Sequence, residues 1–538
     1  MREDIVTERL IMRLRELGWG EVRLHRLRPL SGGASRHTWS FDAELPDGGV
    51  RRTILRHDPP GAPAPEGIAK EAACIRAAAR AGVPVPELFD HGDGTGTLPW
   101  PYLLLERLGG ETIPRRLLRD PVLAEVRGAL PYRLGRILAA IHAIDVDGLP
   151  ALPTQDAVED TIRIYRELDE PRPSVEIGLR WLAEHRPPPR GTALVHGDFR
   201  NGNLLVDASG VRGVLDWELA HAGDPLEDLG WLCVKAWRFG SELPVGGFGA
   251  REELLRGYAD GGGDAPDADT LRWWEVFGTL RWLVLCRFQA ERARSGAERS
   301  VELTALGRKV CEQEHDLLDA IGLGVRRPAS EPMAEPAAGP HDWPTAGELL
   351  DAVRDFLDTE LKASENDRIR FLARVSANAL DIVRREGRLG PAQRAEHETR
   401  LRKLGCRTDA ELAIAIRDRA LDDRWDEVLE VVQATVADKL AVANPRLLGS
   451  DTSGQNHAPP RTRTADTRTR AADTRAPSAD TPRRGPVSAL YDRVSAVCDQ
   501  VSAIRVRVLD VPVSVRIRRR ARGVSPRRPG RPPRRPAS

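Results

Sequence analysis

The segment Val195–Glu218, VHGDFRNGNLLVDASGVRGVLDWE, constrains the chain more than any other. Asp198 follows His196-Gly197, and Asn203 lies five residues further on. Asn203 opens an apolar run, NLLVD, which reaches a turn at Ala208-Ser209-Gly210; a second run, VRGVLD, ends at Asp216. Two short apolar runs about a Ser-Gly turn predict a β-hairpin. A hairpin returns the chain beside its starting point, so Asp198, Asn203 and Asp216 are expected to face one small volume.

Those residue types suit phosphoryl transfer. Mg2+ is a hard ion that takes one or two protein oxygens and completes its octahedron with substrate phosphates. An amide oxygen from Asn203 and a carboxylate from Asp216 hold such an ion without excess negative charge to repel a triphosphate. Asp198 then remains available to accept a proton from an attacking hydroxyl. The plain alternative is that Asp, Asn and Gly simply favour loops. Against it stands the full pattern of HGD, Asn at plus five, a hairpin and an Asp-Trp-Glu close, with the Asp-to-Asn spacing of the kinase catalytic loop.

On these residues the chain resembles the aminoglycoside phosphotransferase superfamily, which shares the protein-kinase fold. HAGDPLEDLGW, His221 to Trp231, resembles that superfamily's GDP-x-x-D-L segment. Within it the chain is most similar to phosphotransferases related to the kinase domains fused to acyl-CoA dehydrogenases. The resemblance covers about residues 20 to 320 and implies an α+β, two-lobed kinase-like fold. It implies Asp198 as catalytic base and Asn203 and Asp216 as metal ligands. His196 and Asp228 are then supports that hold the catalytic loop.

Upstream, Ser31-Gly32-Gly33 sits in a turn that lets backbone N–H groups approach phosphate oxygens. An ordinary hairpin turn is the alternative. Thr53-Ile54-Leu55 reads as a strand, and at its end the family places a basic residue on the phosphates. This chain has Arg56 there in place of Lys, and the two differ in reach and geometry. A helix over 67–81 carries Glu71, which the resemblance pairs with Arg56; a solvated Glu beside Lys70 is the alternative. Residues 102–108 resemble the hinge whose backbone binds adenine, so Glu106 joins the nucleotide-binding positions. Asp224 reads as structural. Arg200 reads as a solvated loop residue, with approach to a transferred phosphate or substrate acid as the alternative; Trp273, Trp274 and Trp282 read as helix core, with substrate stacking as the alternative.

The net charge of +1 conceals an asymmetry. From Asp451 onward there are 20 Arg and 7 Asp with no Lys or Glu, a charge of +13 that leaves −12 on the preceding 450 residues. Arg outnumbers Lys 75 to 6, a bias that reflects coding composition and not nucleic-acid binding. No run of 18 apolar residues suggests a membrane span, and the charged amphipathic N-terminus is unlike a signal peptide, so a cytoplasmic location is expected. Six scattered cysteines show neither a disulfide frame nor zinc spacing.

The expected organisation is a small lobe over 1–105, a large lobe over 106–323 and a Pro/Ala linker over 324–342. An all-α domain over 343–449 and a disordered Arg-rich tail over 450–538 follow. In the helical domain Thr345 and Glu348 have capping-box spacing. Separate helices are expected over 369–386, 391–404, 409–420 and 425–440, the first stopping near Gly387. This part resembles an uncharacterised domain appended to such phosphotransferases. The tail repeats VSALYDR-VSAVCDQ-VSAIRVR with heptad spacing, marginal for a coiled coil. It reads equally well as a coding repeat or a shifted frame, and it offers at most weak nonspecific polyanion binding.

Together these features predict an ATP- and Mg2+-dependent phosphotransferase acting on a hydroxyl of a small molecule. The resemblance points to a hydroxyacyl-CoA-type metabolite or an aminoglycoside-like compound as acceptor. No specific nucleic-acid partner is expected. The rival is a nucleotide-binding pseudokinase that acts as a scaffold through its helical domain.

Overall fold

The computed structural model describes residues 3–30, 36–58, 66–149, 152–325 and 344–448. The Ser31-Gly32-Gly33 turn, nearly all of the linker, the tail with its heptads, and Cys498 lie outside the described residues. The remaining architecture is α+β and two-lobed, as expected, with a C-terminal helical domain.

The small lobe begins with α1 (Glu3–Glu16), β1 (Arg23–Leu30), β2 (His37–Glu44), β3 (Val50–His57), α2 (Glu66–Arg80), β4 (Leu88–Asp93) and β5 (Pro101–Glu106). The strands form one antiparallel sheet in the order β1-β2-β3-β5-β4. Alternation along each strand sorts the side chains by face. Trp39, Phe41 and Leu55 enter an outer core with Val6, Leu10 and Leu14 of α1. Ile54 joins the other core, against Ile68, Ala72 and Ile75 of α2. Arg56, two residues on from Ile54, is thereby delivered to the α2 side. His57, on the outer side, is fully buried and stacks on Trp100 at 4.8 Å between ring centroids.

The large lobe contains α3 (Pro114–Arg119), α4 (Ala124–His142), α5 (Ala157–Glu167) and α6 (Pro173–Glu184). Next come β6 (Ala193–Val195), β7 (Leu204–Asp207), β8 (Gly210–Val214) and β9 (His221–Gly223). Then follow α7 (Leu226–Cys233), α8 (Arg251–Asp260), α9 (Ala268–Arg294), α10 (Val301–Gly307) and α11 (Val310–Ala320). β7 and β8 form the expected hairpin, and β6 pairs with β9. α4 and α8 cross backbone to backbone through reciprocal glycines. A Cβ on Gly135 would lie 2.1 Å from Leu254 O, and one on Gly257 2.0 Å from Tyr132 O. No helix among the described residues is long and apolar enough to cross a membrane.

The helical domain comprises α12 (Ala346–Phe356), α13 (Asp367–Lys403), α14 (Asp409–Arg417) and α15 (Trp425–Ala443). The capping box at Thr345 and Glu348 is present. The separate helices expected over 369–386 and 391–404 are one 37-residue helix, α13, with Pro391 inside it. A proline ring normally clashes with the carbonyl four residues earlier, and here that residue is Gly387. Contacts from α15 flank the proline on both sides: Arg385 Nε donates to Val442 O at 2.6 Å, and Gln393 Nε2 to Asp438 O at 3.2 Å. Tertiary packing therefore carries the helix across two glycines and a proline.

This domain is docked on the large lobe. Ile177, Cys311 and Leu318 share a core with Leu401, Leu412, Val432 and Leu440. Arg417 Nη2 reaches the buried Glu176 at 2.7 Å, and Lys439 Nζ reaches the buried Glu314 at 3.2 Å. Removing a partner from a buried carboxylate is costly. A chain ending at residue 325 is therefore expected to melt below the full chain or to aggregate. Equal melting temperatures for the shared lobes in scanning calorimetry would show the domain to be merely tethered.

The buried histidines give the fold an acid sensitivity. Burial holds His57 below the ordinary histidine value of 6.5, against the Asp58 carbonyl that pulls it up. A group depressed in the folded state stabilises the fold above its unfolded pKa, and that contribution is lost as pH falls. Glu218 and His221, both raised, act in the opposite direction, so the useful measure is a difference. On acidification from about pH 7.5 to 5.5, spanning the free-histidine value, His57→Phe is expected to lose less Tm than the parent. Parallel melting curves for the two would remove His57 from the account.

Candidate functional site

The catalytic-loop segment is fixed from below by one carboxylate. β6 ends at Val195, and Asp228 of α7 accepts the His196 N–H at 2.8 Å and the Gly197 N–H at 3.0 Å. His142 adds a third contact to Asp228 at 3.2 Å. Burial would raise the Asp228 carboxyl, but His142 and His196 outweigh it and keep it below the usual range. Gly197 has φ +79°, and a Cβ there would sit 2.7 Å from Leu219 O, so only glycine fits this turn. The buried His196 accepts the Asp198 N–H at Nδ1 (3.2 Å) and contacts Leu215 O through Nε2 (3.1 Å). It thus ties the Asp198 turn to the far strand of the hairpin.

The hairpin then delivers the other two residues. Leu215 N–H donates to Asn203 O at 2.9 Å, which sets Asp216 beside Asn203. Asp216 adopts the left-handed conformation, φ 75° and ψ 63°, a strained geometry for a non-glycine residue that the surrounding contacts must enforce. The Asn203 amide nitrogen donates to Asp198 O at 2.9 Å and to Asp198 Oδ2 at 2.6 Å. With its NH2 end committed, the amide keeps its oxygen for a cation.

Asp198 is almost fully buried and accepts further donors. Arg200 reaches it with Nε at 2.8 Å and Nη2 at 3.0 Å, and Trp231 Nε1 donates at 2.9 Å. The expectation that Arg200 is a solvated loop residue is wrong. Its side chain is completely buried, and the guanidinium lies 4.8 Å over the Trp237 ring. The indoles of Trp237 and Trp231 close over the bidentate pair, and spacing alone does not reveal such closure.

The small lobe meets these residues through an ion network. Arg56 Nη1 donates to Glu71 Oε1 and Nη2 to Asp216 Oδ1, each at 2.8 Å. Arg36 donates to Glu71, to Asp58 at 2.8 Å and approaches Glu218 at 3.3 Å. Burial opposes charge on Glu71, yet Arg56 and Arg36 prevail and hold its carboxyl low. Glu218 is different: burial lifts it to about 8 in spite of the arginines, and its Oε1 is buried without a hydrogen-bond partner. The alternative of a solvated Glu71 is excluded, since its side chain is fully buried. The neighbouring Lys70 is half-buried and donates to Glu218 O at 2.6 Å and Ala220 O at 3.0 Å.

The structure therefore brings Asp198, Asn203, Asp216, His196, Asp228, Arg56 and Glu71 into one connected set of contacts. Glu106, at the end of β5, stands apart from it and makes a long contact from Glu87 N–H at 3.5 Å. Asp224 caps the start of α7, accepting Leu226 N–H at 3.0 Å and Arg190 N–H at 2.9 Å. Trp273, Trp274 and Trp282 are buried on α9. Sequence reasoning missed Arg36, Lys70, Glu218 and Trp231. Arg36 directly follows the Gly-rich turn and Glu218 closes the Asp-Trp-Glu run, so both were visible as positions, without a sign of their burial.

With Glu218 largely protonated near neutrality, three carboxylates, of Asp58, Glu71 and Asp216, face the two guanidiniums of Arg36 and Arg56, so the cluster carries only a small negative excess. Among the described residues no group of three or more His, Cys, Asp or Glu forms a ready-made metal cage. A Mg2+ ion that arrives with phosphate ligands does not need one. A cavity of about 320 Å³ lined by Asp156, Asp224, Glu227 and Trp274 shares no residue with this set.

Comparison with known proteins finds relatives for two parts of the chain. The model of the family described as "Phosphotransferase enzyme family" matches residues 26–274, and a domain of unknown function, DUF6285, matches residues 363–447. Acyl-CoA dehydrogenase family member 10 of Mus musculus is 31% identical over 228 residues, covering 39% of this chain and 20% of that protein. Viomycin phosphotransferase of Streptomyces vinaceus is 30% identical over 196 residues, covering 34% of this chain and 63% of the relative. The chain thus spans about a fifth of the dehydrogenase relative's length. Among solved structures, aminoglycoside phosphotransferase APH(4)-Ia with AMP-PNP and hygromycin B aligns at TM-score 0.40 and 19% identity, covering 57% of this chain and 97% of that one. Residues 26–274 of this chain form a domain of the phosphotransferase enzyme family.

Proposed function

We propose that this protein transfers the γ-phosphate of ATP, with Mg2+, to a hydroxyl of a small molecule. The observation that carries the reading is the unbroken path of contacts from Asp198 through Asn203 and Leu215 to Asp216, Arg56 and Glu71. A scaffold that only binds nucleotide has no need of the Asp198 end of that path.

Asn203 Oδ1 and Asp216 fit a Mg2+ ion, with Glu218 Oε1 as a further oxygen beside them. Asn203 and Asp216 would hold such an ion, which would supply positive charge to neutralise the phosphates. Arg56 exchanges part of its contact with Asp216 for a phosphate oxygen, while Glu71 retains Nη1 and keeps the guanidinium oriented. Asp198 accepts the proton of the acceptor hydroxyl as its oxygen attacks phosphorus. Arg200, Trp231 and Asn203 hold the carboxylate still for that transfer, so its position costs nothing at the moment of reaction.

The relatives support two acceptor classes. The region shared with the acyl-CoA dehydrogenase family members favours a hydroxyacyl-CoA-type metabolite, and viomycin phosphotransferase favours an aminoglycoside-like compound. ADP production measured across hydroxyacyl-CoAs, aminoglycosides and amino alcohols separates the two. Absence of turnover on all of them, together with tight nucleotide binding, would favour the scaffold.

Asp198→Ala is a poor test because it strands the buried Arg200. Asp198→Asn keeps an oxygen for Arg200 and removes the base. It is expected to lower kcat by about 10²-fold or more while MgATP binding by calorimetry is retained; wild-type turnover on the true acceptor would refute the assignment. Arg56→Gln is expected to weaken MgATP binding by about tenfold, worth ~1.4 kcal/mol. Unchanged affinity would remove Arg56 from the phosphates.

A further inference from the structure

The catalytic carboxylate is saturated with donors. An ionised carboxylate offers about four lone-pair sites, two on each oxygen. On Asp198 all four are taken. Oδ1 accepts Arg200 Nε at 2.8 Å and Trp231 Nε1 at 2.9 Å, and Oδ2 accepts Arg200 Nη2 at 3.0 Å and the Asn203 amide at 2.6 Å. The residue is 1% exposed. A substrate hydroxyl can therefore donate to Asp198 only when one of these donors withdraws.

The donors are not equally free to leave. Trp231 has a single N–H, and its ring packs against Arg281 at 5.0 Å and Trp237 at 5.2 Å. The Asn203 amide nitrogen also binds Asp198 O at 2.9 Å, and turning it away would carry its oxygen from the place assigned to the cation. Arg200 fills two of the four sites and has a nitrogen to spare, since Nη1 is buried without a hydrogen-bond partner. A guanidinium that pivots about Nε vacates Oδ2 and keeps Oδ1. Three donors then still orient the base while one site opens.

That pivot sets the chemistry of what enters. Once Nη2 leaves Oδ2, both outer nitrogens of a fully buried cation lack an acceptor, and a buried charged donor left unmet is costly. An ammonium beside the hydroxyl makes matters worse, because like charges then meet. A carboxylate or carbonyl oxygen close to the hydroxyl meets the need, with the planar fork reaching Asp198 through Nε and the substrate through its outer nitrogens.

We propose that Arg200 is a specificity-determining residue: it caps the base and yields Oδ2 to an acceptor whose hydroxyl stands near a carboxylate or carbonyl oxygen. Such an acceptor is a hydroxy acid or its thioester, not an amino sugar. This rests on the phosphotransfer reading above and chooses between its two acceptor classes. In the step itself the hydroxyl oxygen bonds the γ-phosphorus and its proton passes to Oδ2. The bond to the β-phosphate oxygen breaks, and its electron pair leaves on ADP.

The test measures ADP release by the full chain with MgATP and matched acceptors over several chain lengths. Each set holds a hydroxyacyl-CoA, its free hydroxy acid, the diol and the amino alcohol, with aminoglycosides beside them. The last three of a set are alike in size and lack CoA, so contacts to CoA do not enter their ratios. The wild type is expected to use the hydroxy acid with kcat/KM at least about 10²-fold above the diol and the amino alcohol. Arg200→Lys, which has one nitrogen where the fork was, is expected to bring that ratio close to unity. Circular dichroism and MgATP affinity of the variant must match the wild type for its ratio to count; otherwise the wild-type ratio decides alone. A wild type that uses amino alcohols or an aminoglycoside as well as it uses hydroxy acids overturns the proposal. So does a ratio that Arg200→Lys leaves unchanged, which assigns the fork to the γ-phosphate or to Asp198 alone. No ADP from any acceptor removes phosphotransfer itself and this proposal with it, whereas turnover without preference removes this proposal only.

Discussion

The contact on which the site depends is the fork of Arg56. One nitrogen reaches Glu71 in the small lobe and the other reaches Asp216 in the large lobe, both at 2.8 Å and both out of water. A lysine has a single nitrogen and does not span two separated carboxylates in this way. The guanidinium therefore joins β3, α2 and the residue after β8 in one step. Buried ion pairs are seldom net sources of stability, and the value of this one lies in register: it holds β3 and α2 of the small lobe in a fixed position against Asp216 of the large lobe.

A second layer of contacts keeps that register. Asp228 fixes two consecutive backbone N–H groups of the loop, His196 spans to the far strand, and Arg200 with Trp231 closes around Asp198. Arg281 of α9 lies 5.0 Å over Trp231 and pairs with Glu227, so the long buried helix supports the indole that touches Asp198. Preorganisation of this kind is what makes a charged site act without rearrangement.

Much of this was legible in the sequence. The Asp-to-Asn interval, the Ser-Gly turn and the apolar runs gave the hairpin, because its pattern is local and repeats every two residues. The capping box at Thr345 was legible for the same reason. What escaped depended on contacts distant in sequence. Arg200 looks like any loop arginine until Trp237 covers it, and Lys70 looks solvated until Glu218 and Ala220 supply carbonyls 148 and 150 residues away. The break expected at Gly387 failed because two glycines and a proline predict a helix end locally, while α15 holds the helix together from outside. The partial burial of α12 was equally invisible, since periodicity reports an apolar face and not what lies against it.

Lys70 has a mechanical consequence. Its ammonium clamps α2 to the carbonyls of Glu218 and Ala220, just past Asp216. Swinging α2 outward would take both acceptors from this half-buried cation. Because α2 belongs to the small lobe and Glu218 and Ala220 to the large one, this lysine bolts the two lobes together, and any parting of them has to break both of its contacts first.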